Sequence, residues 1–546
     1  MCGIFGIINE NNISEIIKDN FIKGKSRGPE NSCINQYNNA IIGFHRLAIN
    51  GLDEISNQPF IEDDLVVTCN GEIYNYHTLA KTNNISLTTN SDCEIILHLY
   101  KKFGIEYTLN IIDGVFAFSI YNIKTDELIL ARDPYGVRPL FFAFDNNKLF
   151  YASEIKSIYS LCSDKKNIIE FSPGTFMSIS KNLDYKITKY TCFPCRNICY
   201  PNESPVLTLE IFNNINEAVR KRVEDTCDRP IACLLSGGLD SSLICAMVKQ
   251  YYKNCDHKLE TYSIGLDGSE DLKYARLVAK HLDTDHHEII VSEKDFFDAI
   301  PEVITAIETY DTTTIRASVG NYLIAKWIKE NSSAKVVFNG DGADELMGGY
   351  LYFHKAPNPT EFDRECKRLL TDISKYDVLR SDRSISSNGL EARTPFLDRK
   401  WVEFYLTIDS SNRFHALNNQ CEKFLIRKAF QDYQPNILPE KVLWRTKEAF
   451  SDGVSSLQRS WFQIIQDNIN IKINYDEVLN GYLHKLLNDD SIFNKPHTLE
   501  QAYYRYLYRL DYAECEKTIP YFWLPRFVEA HDSSARTLDI YKKLIQ

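Results

Sequence analysis

The chain has 546 residues, 44% of them hydrophobic and 25% charged, and a formal net charge of −12. This length predicts two to four domains with sizeable apolar cores. The acidic balance, without a long basic stripe, argues against a nucleic-acid-binding protein, and we find no apolar run long enough to span a membrane.

The N-terminal residues and the cysteines indicate the cellular compartment of the protein. The first residues lack the basic segment that opens a signal peptide. Fifteen cysteines, an odd number spread over a long chain, fit reduced thiols better than a disulfide framework. We therefore expect a cytoplasmic protein that binds neither nucleic acid nor membrane. Its oligomeric state is open, with a homodimer as the candidate.

The first 190 residues or so are predicted to be rich in strands. Short apolar or alternating runs are separated by Asn, Asp and Gly clusters, as is typical of strands joined by turns. A helix is predicted to begin at Ser91, because Ser91-Asp92-Cys93-Glu94 has the spacing of a capping box. The predicted strands are 2–8, 40–49, 65–69, 115–121, 127–131 and 149–153.

The chain changes character after residue 190. Three prolines between 193 and 205 indicate a linker. Apolar runs then alternate with helical patterns, which predicts a doubly wound parallel sheet, and the last 150 residues or so read as mostly helical. The predicted strands are 231–235, 259–266, 287–291 and 335–338. We expect domains at 1–190 and 207–546, with a linker at 191–206.

The segment SGGLDSS, residues 236–242, lies between a predicted buried strand and a predicted helix. Such a turn gathers backbone N–H groups at the helix N-terminus, where negative charge is favoured. The segment lacks the lysine of the GxxxxGK[ST] loop, and Asp240 is placed to hold magnesium against a bound pyrophosphate. This pattern predicts a nucleotide phosphate site. The alternative is a plain glycine turn with a serine cap.

Cys2 is a candidate nucleophile. Removal of Met1 would leave a thiol and a free α-amine on the same residue. The α-amine titrates near pH 7.7–8.0, so it could take the thiol proton near neutral pH. From its position alone, a buried structural cysteine is the favoured interpretation, and the neighbouring residues are what favour the nucleophile.

Further residues of the N-terminal region suit acyl transfer from free glutamine. Such a site needs a cation for the carboxylate, anions for the ammonium group and donors for a tetrahedral oxyanion. Arg46 would supply the cation, and Glu72 and Asp92 the anions. Asn70 and the Gly71 N–H would supply the donors.

A cluster of three cysteines gives a less specific signal. Cys192, Cys195 and Cys199 form a C-x-x-C-x-x-x-C run that could ligate zinc or an iron–sulfur cluster. No fourth ligand lies close in sequence, so free thiols in a linker are the alternative.

The motifs together resemble a known family. MCGIFGI, RGPE, FHRLAI, NGEIYN, DGVFAF and RDPYGVRPLF are similar to a class II glutamine amidotransferase domain. SGGLDSS, ETYDTTTIRAS, GDGADELMGGYLYFHKAP, EARTPFLD and WRTKEAFSDG resemble the synthetase domain that follows it in the glutamine-hydrolysing asparagine synthetases. The order of the motifs matches that family over nearly the whole chain.

The resemblance implies a fold and a reaction. The fold is an α/β arrangement: a four-layer αββα N-terminal-nucleophile domain, then a doubly wound parallel-sheet pyrophosphate-loop ATPase domain with a helical extension. The reaction is a ligation in which glutamine is hydrolysed at the N-terminal cysteine and ammonia passes through an apolar tunnel. Mg-ATP adenylates the β-carboxylate of aspartate, and ammonia displaces AMP to give asparagine.

The resemblance also implies roles for individual residues. Cys2 would be the nucleophile, with Asn70 and Gly71 as the oxyanion hole, and Asp341 and Lys447 would complete the catalytic set. Glutamine would be held by Arg46, Leu47, Ala48, Ile49, Asn50, Asn70, Gly71, Glu72 and Asp92. ATP would be held by Leu234, Ser236, Gly237, Gly238, Asp240, Ser241, Ser242, Ile264, Asn339 and Gly340. Magnesium would bind Asp240 and Asp344, and aspartate would lie near Thr314, Arg316 and Glu345.

Two departures from the family pattern stand out. The first loop reads Ser26-Arg27-Gly28-Pro29-Glu30, where the family usually has His-Arg-Gly-Pro-Asp. Asp341 stands where the family usually has the glutamate that promotes formation and breakdown of the adenylate. Two alternatives therefore stay open: a related amidotransferase that adenylates another acid, and a non-catalytic ATP-binding protein.

Overall fold

The computed structural model describes residues 1–201, 204–226, 228–252, 257–448, 450–456, 458–534 and 536. Residues 1–189 form two six-stranded sheets, with orders β10-β8-β9-β1-β3-β2 and β12-β11-β7-β6-β5-β4. Every pairing within them is antiparallel. The strands are β1 (Gly3–Ile8), β2 (Asn31–Tyr37), β3 (Ala40–Arg46), β4 (Phe60–Glu62), β5 (Leu65–Ile73), β6 (Gly114–Asn122), β7 (Glu127–Arg132), β8 (Phe141–Asp145), β9 (Lys148–Ala152), β10 (Ile169–Glu170), β11 (Thr175–Ile179) and β12 (Tyr185–Lys189).

The two sheets pack face to face. Alternate apolar residues of each sheet, such as Ile4 and Val66, share one buried cluster between them, as the period-2 geometry of strands requires. Helices cover the outer faces: Phe21 of the first helix packs on the first sheet, and Ile95 of the third packs on the second sheet. The predicted four-layer αββα arrangement is confirmed. The helices here are α1 (Glu15–Ile22), α2 (Tyr76–Thr82), α3 (Glu94–Phe103) and α4 (Ile105–Ile111).

The predicted capping box at Ser91 is wrong. Helix α3 begins at Glu94, and Cys93 stands at the N-cap without a side-chain cap. The Glu94 carboxylate instead accepts hydrogen bonds from the N–H and hydroxyl groups of Thr88 and Thr89, at 2.7–2.8 Å. Glu94, the acid of the predicted capping box, therefore binds the loop before the helix instead of capping the helix.

The second half contains a five-stranded sheet of order β15-β14-β13-β16-β17, parallel throughout. Ala232 and Tyr262 point to one side, against Ile315, while Ile231 and Cys233 point to the other, against Leu243. Helices therefore cover both faces, and the predicted doubly wound sheet is confirmed. The strands are β13 (Ile231–Leu234), β14 (Glu260–Leu266), β15 (Asp285–Val291), β16 (Val336–Phe338) and β17 (Glu391–Arg393).

The helices after β17 form the predicted helical extension. All the α-helices described in this half lie between residues 205 and 512. They are α5 (Pro205–Glu224), α6 (Leu239–Tyr251), α7 (Glu270–Leu282), α8 (Glu293–Asp298), α9 (Ile300–Ile307), α10 (Thr312–Asn331), α11 (Ala343–Met347), α12 (Pro359–Asp372), α13 (Asp377–Ser386), α14 (Arg399–Thr407), α15 (Ser410–Arg413), α16 (Phe424–Tyr433), α17 (Glu440–Leu443), α18 (Phe450–Gly453), α19 (Trp461–Tyr475), α20 (Glu477–Asn488) and α21 (Leu499–Tyr512). None of the helices described is long and apolar enough to cross a bilayer.

The segment predicted as a linker rests on the second half. The Ile198 N–H donates to the Thr407 carbonyl at 2.6 Å, and the Tyr200 hydroxyl donates to Glu210 at 2.7 Å. Helix α5 already begins at Pro205. The domain limits 1–190 and 207–546 stay predictions.

A buried ion pair and buried hydrogen bonds join the two halves. The Arg27 guanidinium, 3.3 Å from Glu154 of its own half, lies 2.8 Å from Asp382 of the second half. The Glu308 carboxylate accepts hydrogen bonds from the Ile155 and Lys156 N–H groups at 2.9 and 2.8 Å. Because removing one partner leaves a buried charge uncompensated, these contacts fix how the halves meet.

Candidate active sites

Cys2 lies just before β1, at the junction of the two sheets. Its N–H donates to Asn70 Oδ1 at 3.1 Å, and its thiol lies 3.6 Å from the Leu47 carbonyl oxygen. Burial raises the pKa of the thiol to about 11 while Met1 precedes it. The Met1 ammonium itself is buried, 3.5 Å from Glu391. With Met1 in place, position 2 therefore has a neutral thiol and an amide nitrogen rather than an amine.

The predicted oxyanion donors lie on β5. Asn70 is buried, and its Nδ2 has no hydrogen-bond partner among the residues described. A buried donor without a partner costs free energy, so an incoming substrate oxygen would satisfy it. Gly71 follows directly, opposite Phe116 of β6. Asn70 Nδ2 thus fits the predicted oxyanion role.

Glu72 and Asp92 form a pair of buried carboxylates at the end of β5, which also carries Asn70. Glu72 accepts from Asn50 Nδ2 at 3.0 Å and lies 3.3 Å from the Arg393 guanidinium. Asp92 accepts from the Ile73 N–H at 2.7 Å. Burial raises both pKa values, and the proximity of Asp92 raises that of Glu72 further. Such a pair favours binding of a cation.

Arg46, at the end of β3, organises the loop that follows it. Its guanidinium donates to the carbonyls of Asn50, Gly51 and Asp53 and to the Asn57 side chain. Leu47, Ala48 and Ile49 lie in the same loop and are buried. Arg46, which is predicted to bind the glutamine carboxylate, therefore already uses N–H donors to hold its own loop and has fewer left for a substrate.

The second site is a cavity at the carboxyl ends of β13, β14 and β16, where ligands of parallel sheets bind. Gly237 has a φ of +73° and makes the tight turn after β13. At Gly340, a Cβ would lie 2.8 Å from the Asp240 main chain, so only glycine lets the two loops approach. The predicted site residues that line the cavity are Leu234, Ser236, Gly238, Asp240, Ser241, Ile264, Thr314, Asn339, Gly340, Asp341, Asp344, Glu345 and Lys447. Gly237 and Ser242 are not among the residues that line it.

Two aspartates and two lysines meet in this cavity. Lys423 Nζ lies 2.6 Å from Asp240 Oδ2 and 2.5 Å from Asp344 Oδ1, and Lys447 Nζ lies 2.7 Å from Asp344 Oδ2. Burial opposes ionisation, but Lys423 and Lys447 outweigh it and lower the pKa of Asp344 to about 2. Despite its own burial, Lys447 has a raised pKa because Asp344 and Asp240 face it.

The same aspartates fit a magnesium ion. Asp240 Oδ1 is buried and accepts no hydrogen bond from the described residues, and carboxylate oxygens are the ligands that magnesium prefers. Lys423 is a residue that the sequence reasoning missed. The sequence feature that could have indicated Lys423 is the adjacent acid and base of Glu422-Lys423, which lies outside the motifs quoted above.

Asp341 is paired with an arginine. Its Oδ1 lies 2.6 Å from Arg380 Nη2, whereas its Oδ2 is buried without a hydrogen-bond partner in the described chain. Burial raises the pKa of Asp341 to about 6, with Arg380 opposing the rise. A carboxylate with a pKa near neutrality is suited to proton transfer.

The three residues predicted near aspartate are not together. Thr314 and Glu345 line the cavity, but Arg316 does not. Both edges of the Arg316 guanidinium are bound, by Glu500 at 2.6–2.8 Å and by Asp532 at 2.8 Å. The expectation for Arg316 is therefore corrected: it is a buried structural arginine.

The cysteine run gives no metal centre. Cys192, Cys195 and Cys199 are exposed free thiols. Within the described part of the chain, no group of three or more His, Cys, Asp or Glu side chains is arranged to hold a metal.

Comparison with known proteins gives a family match for each half of the chain. The profile of the glutamine amidotransferase domain matches residues 1–189, and that of asparagine synthase matches residues 210–361 and 355–500. The glutamine-hydrolysing asparagine synthetase of Gallus gallus is 38% identical over 577 residues, covering 100% of both chains. The chain belongs to the glutamine-hydrolysing asparagine synthetase family.

Mammalian members are equally similar. The enzyme of Mus musculus is 38% identical over 570 residues, covering 99% of both chains, and that of Homo sapiens is 37% identical over 574 residues, covering 100% of both. The predicted family is confirmed, and with it a ligase that carries a glutamine amidotransferase domain.

Proposed function

We propose that the chain makes L-asparagine from L-aspartate, ATP and glutamine through a β-aspartyl-AMP intermediate, releasing glutamate, AMP and pyrophosphate. The observation that carries the proposal is the lysine-free turn at 236–242, which includes Asp240 and faces Asp344, Lys423 and Lys447 in one cavity. We also propose a cytoplasmic location and, as the candidate assembly, a homodimer.

The first half would release ammonia. After removal of Met1, the Cys2 α-amine takes the thiol proton and the sulfur attacks the glutamine amide carbon. Asn70 Nδ2 and the Gly71 N–H stabilise the oxyanion, and the proton leaves with ammonia. Water then hydrolyses the thioester to glutamate. Glu72 and Asp92 bind the ammonium group of glutamine, and the Arg46 loop faces its carboxylate.

The second half would use that ammonia. An aspartate β-carboxylate oxygen attacks the α-phosphorus of ATP and pyrophosphate leaves, its charge balanced by Lys423 and Lys447. Asp240 and Asp344 would hold magnesium, which supplies charge neutralisation on the phosphates. Ammonia then attacks the acyl carbon, AMP departs, and Asp341 Oδ2 accepts the proton that the nitrogen loses.

The products test the proposal. With aspartate, Mg-ATP and either glutamine or ammonium chloride, we expect AMP and pyrophosphate in amounts equal to asparagine, measured by phosphorus NMR and amino-acid chromatography. AMP release that needs aspartate excludes a non-catalytic ATP-binding protein. ADP and inorganic phosphate as products would contradict the adenylation step.

A further inference from the structure

The loop of residues 47–51, called here the glutamine loop, is held by side chains rather than by the hydrogen bonds of a sheet. It follows Arg46, where β3 and its ladder end, so its main chain is fixed mostly by side chains. Within the first half, Glu30 accepts from the Ala48 N–H at 2.8 Å. The loop also touches the nucleophile, because the Leu47 carbonyl lies 3.6 Å from the Cys2 thiol.

Arg46 donates to the Asn50 and Gly51 carbonyls of the loop, and further main-chain contacts come from the second half. Arg229 Nε donates to the Ala48 carbonyl at 2.8 Å, and its Nη2 donates to Glu30 at 2.7 Å. The Asp228 carboxylate accepts from the Gly51 N–H at 3.0 Å. Arg229 and Glu30 thus grip the Ala48 peptide units from both sides, and Asp228 holds the far end of the loop.

A third contact reaches the other wall of the glutamine site. Arg393, on β17, lies 3.3 Å from Glu72 Oε1, while Asn50 of the glutamine loop donates to Glu72 Oε2. The Arg393 carbonyl also accepts from the Asn339 N–H at 3.1 Å. Both walls are therefore in contact with the parallel-sheet half of the chain.

We propose that Asp228 and Arg229 are positioning residues for glutamine: the second half of the chain sets the shape of the glutamine loop and hence the affinity for glutamine. The inference rests on the proposed function of the Cys2 site. Residues 228 and 229 are separated from β13 by Pro230 alone, and the other end of β13 leads into the 236–242 turn. The strand that carries the phosphate loop therefore begins beside the glutamine loop. Glu30, one of the departures from the family pattern, is the acid that Arg229 reaches.

The test compares Arg229→Gln with Arg220→Gln. Arg220 is a matched control on α5 of the same half, where its ion pairs within the described residues are with Glu217 and Glu224 at the surface. We expect Arg229→Gln to raise the KM for glutamine by about tenfold, the usual effect of losing a charged hydrogen bond. The kcat with glutamine and the whole ammonium-dependent reaction should stay within about twofold, and Arg220→Gln should match the parent.

A binding measurement separates positioning from turnover. In a Cys2→Ala chain, calorimetry should show that adding Arg229→Gln weakens glutamine binding by a similar factor. Combining Arg229→Gln with Glu30→Gln should cost less than the sum of the two, because both changes break one network.

The contrary results are distinct. An unchanged KM overturns the inference, and so does a parallel loss of the ammonium-dependent reaction, which would make Arg229 a residue of the second half's own fold. A parent chain that makes no glutamate from glutamine overturns the proposed function itself.

Discussion

Both candidate sites contain buried carboxylates, but the charged groups around those carboxylates differ. Around Cys2, burial raises the pKa values of Glu72 and Asp92. In the cavity of the parallel sheet, two lysines lower the pKa of Asp344 to about 2. At the first site burial disfavours the charged carboxylates, which an incoming ammonium group would stabilise in addition to Arg393, 3.3 Å from Glu72. At the second site two lysines already pair with the acids, and their positive charge suits phosphates. The difference shows that neighbours, rather than residue type, decide what a carboxylate recognises.

The largest expected effect separates the two sites. Cys2→Ala should abolish asparagine formation from glutamine, because the nucleophile is lost, and leave formation from ammonium chloride within about twofold of the parent. The exposed Cys192→Ala is the matched control and should keep both reactions. Loss of both reactions in a folded Cys2→Ala chain would contradict the two-site account.

Removing a cation tests the second site. We expect Lys447→Met to lower both the glutamine- and the ammonium-dependent reactions by about 10²–10³-fold, the usual effect of losing one transition-state contact. Glutamate release at Cys2 should persist. Lys428→Met, on α16 and paired with Asp432 outside the cavity, serves as control. Asparagine formation at the parent rate in Lys447→Met would remove Lys447 from the mechanism.

Asp341 tests the proton acceptor of the same site. Asp341→Ala should lower asparagine formation by at least about tenfold, since general base catalysis contributes about 10²–10⁴-fold, while ATP binding persists. In the parent, the rate at a constant concentration of free ammonia should fall as the pH drops below about 6, because burial raises the pKa of Asp341 to that value. Asp432→Ala is the control. A parent-like rate in Asp341→Ala would assign the chemistry elsewhere.

The smallest effect concerns recognition at the first site. Glu72→Gln should raise the KM for glutamine by about tenfold with little change in the ammonium reaction. The ionised carboxylate binds the ammonium group, and burial raises its pKa. The parent's KM for glutamine should therefore rise as the pH falls, and Glu72→Gln should flatten this dependence. A KM independent of pH in the parent would argue against charge recognition by Glu72 and Asp92.

Much of this could be predicted from the sequence, for physical reasons. The strand runs, the 236–242 turn and the cavity acids are local patterns. Four of the five described strands of the parallel sheet and six of the twelve described strands of the first half were therefore predicted, and most residues predicted to hold ATP line the cavity. Strand β17 was missed because three residues between buried loops have no readable period; the strands missed in the first half are β2, β4, β8, β10, β11 and β12. Lys423 and the bound state of Arg316 were missed because their partners, Asp240 and Glu500, are distant in sequence. The capping box failed because Glu94 finds better donors in Thr88 and Thr89.

The central claim is that nitrogen released at the first site is consumed at the second within one chain. Glutamine labelled with nitrogen-15 at its amide tests it most directly, in a reaction with aspartate and Mg-ATP followed by mass spectrometry and phosphorus NMR. The account predicts asparagine labelled in its side-chain amide, with one glutamate, one AMP and one pyrophosphate formed per asparagine. Unlabelled asparagine, or ADP and phosphate in place of AMP and pyrophosphate, would contradict it.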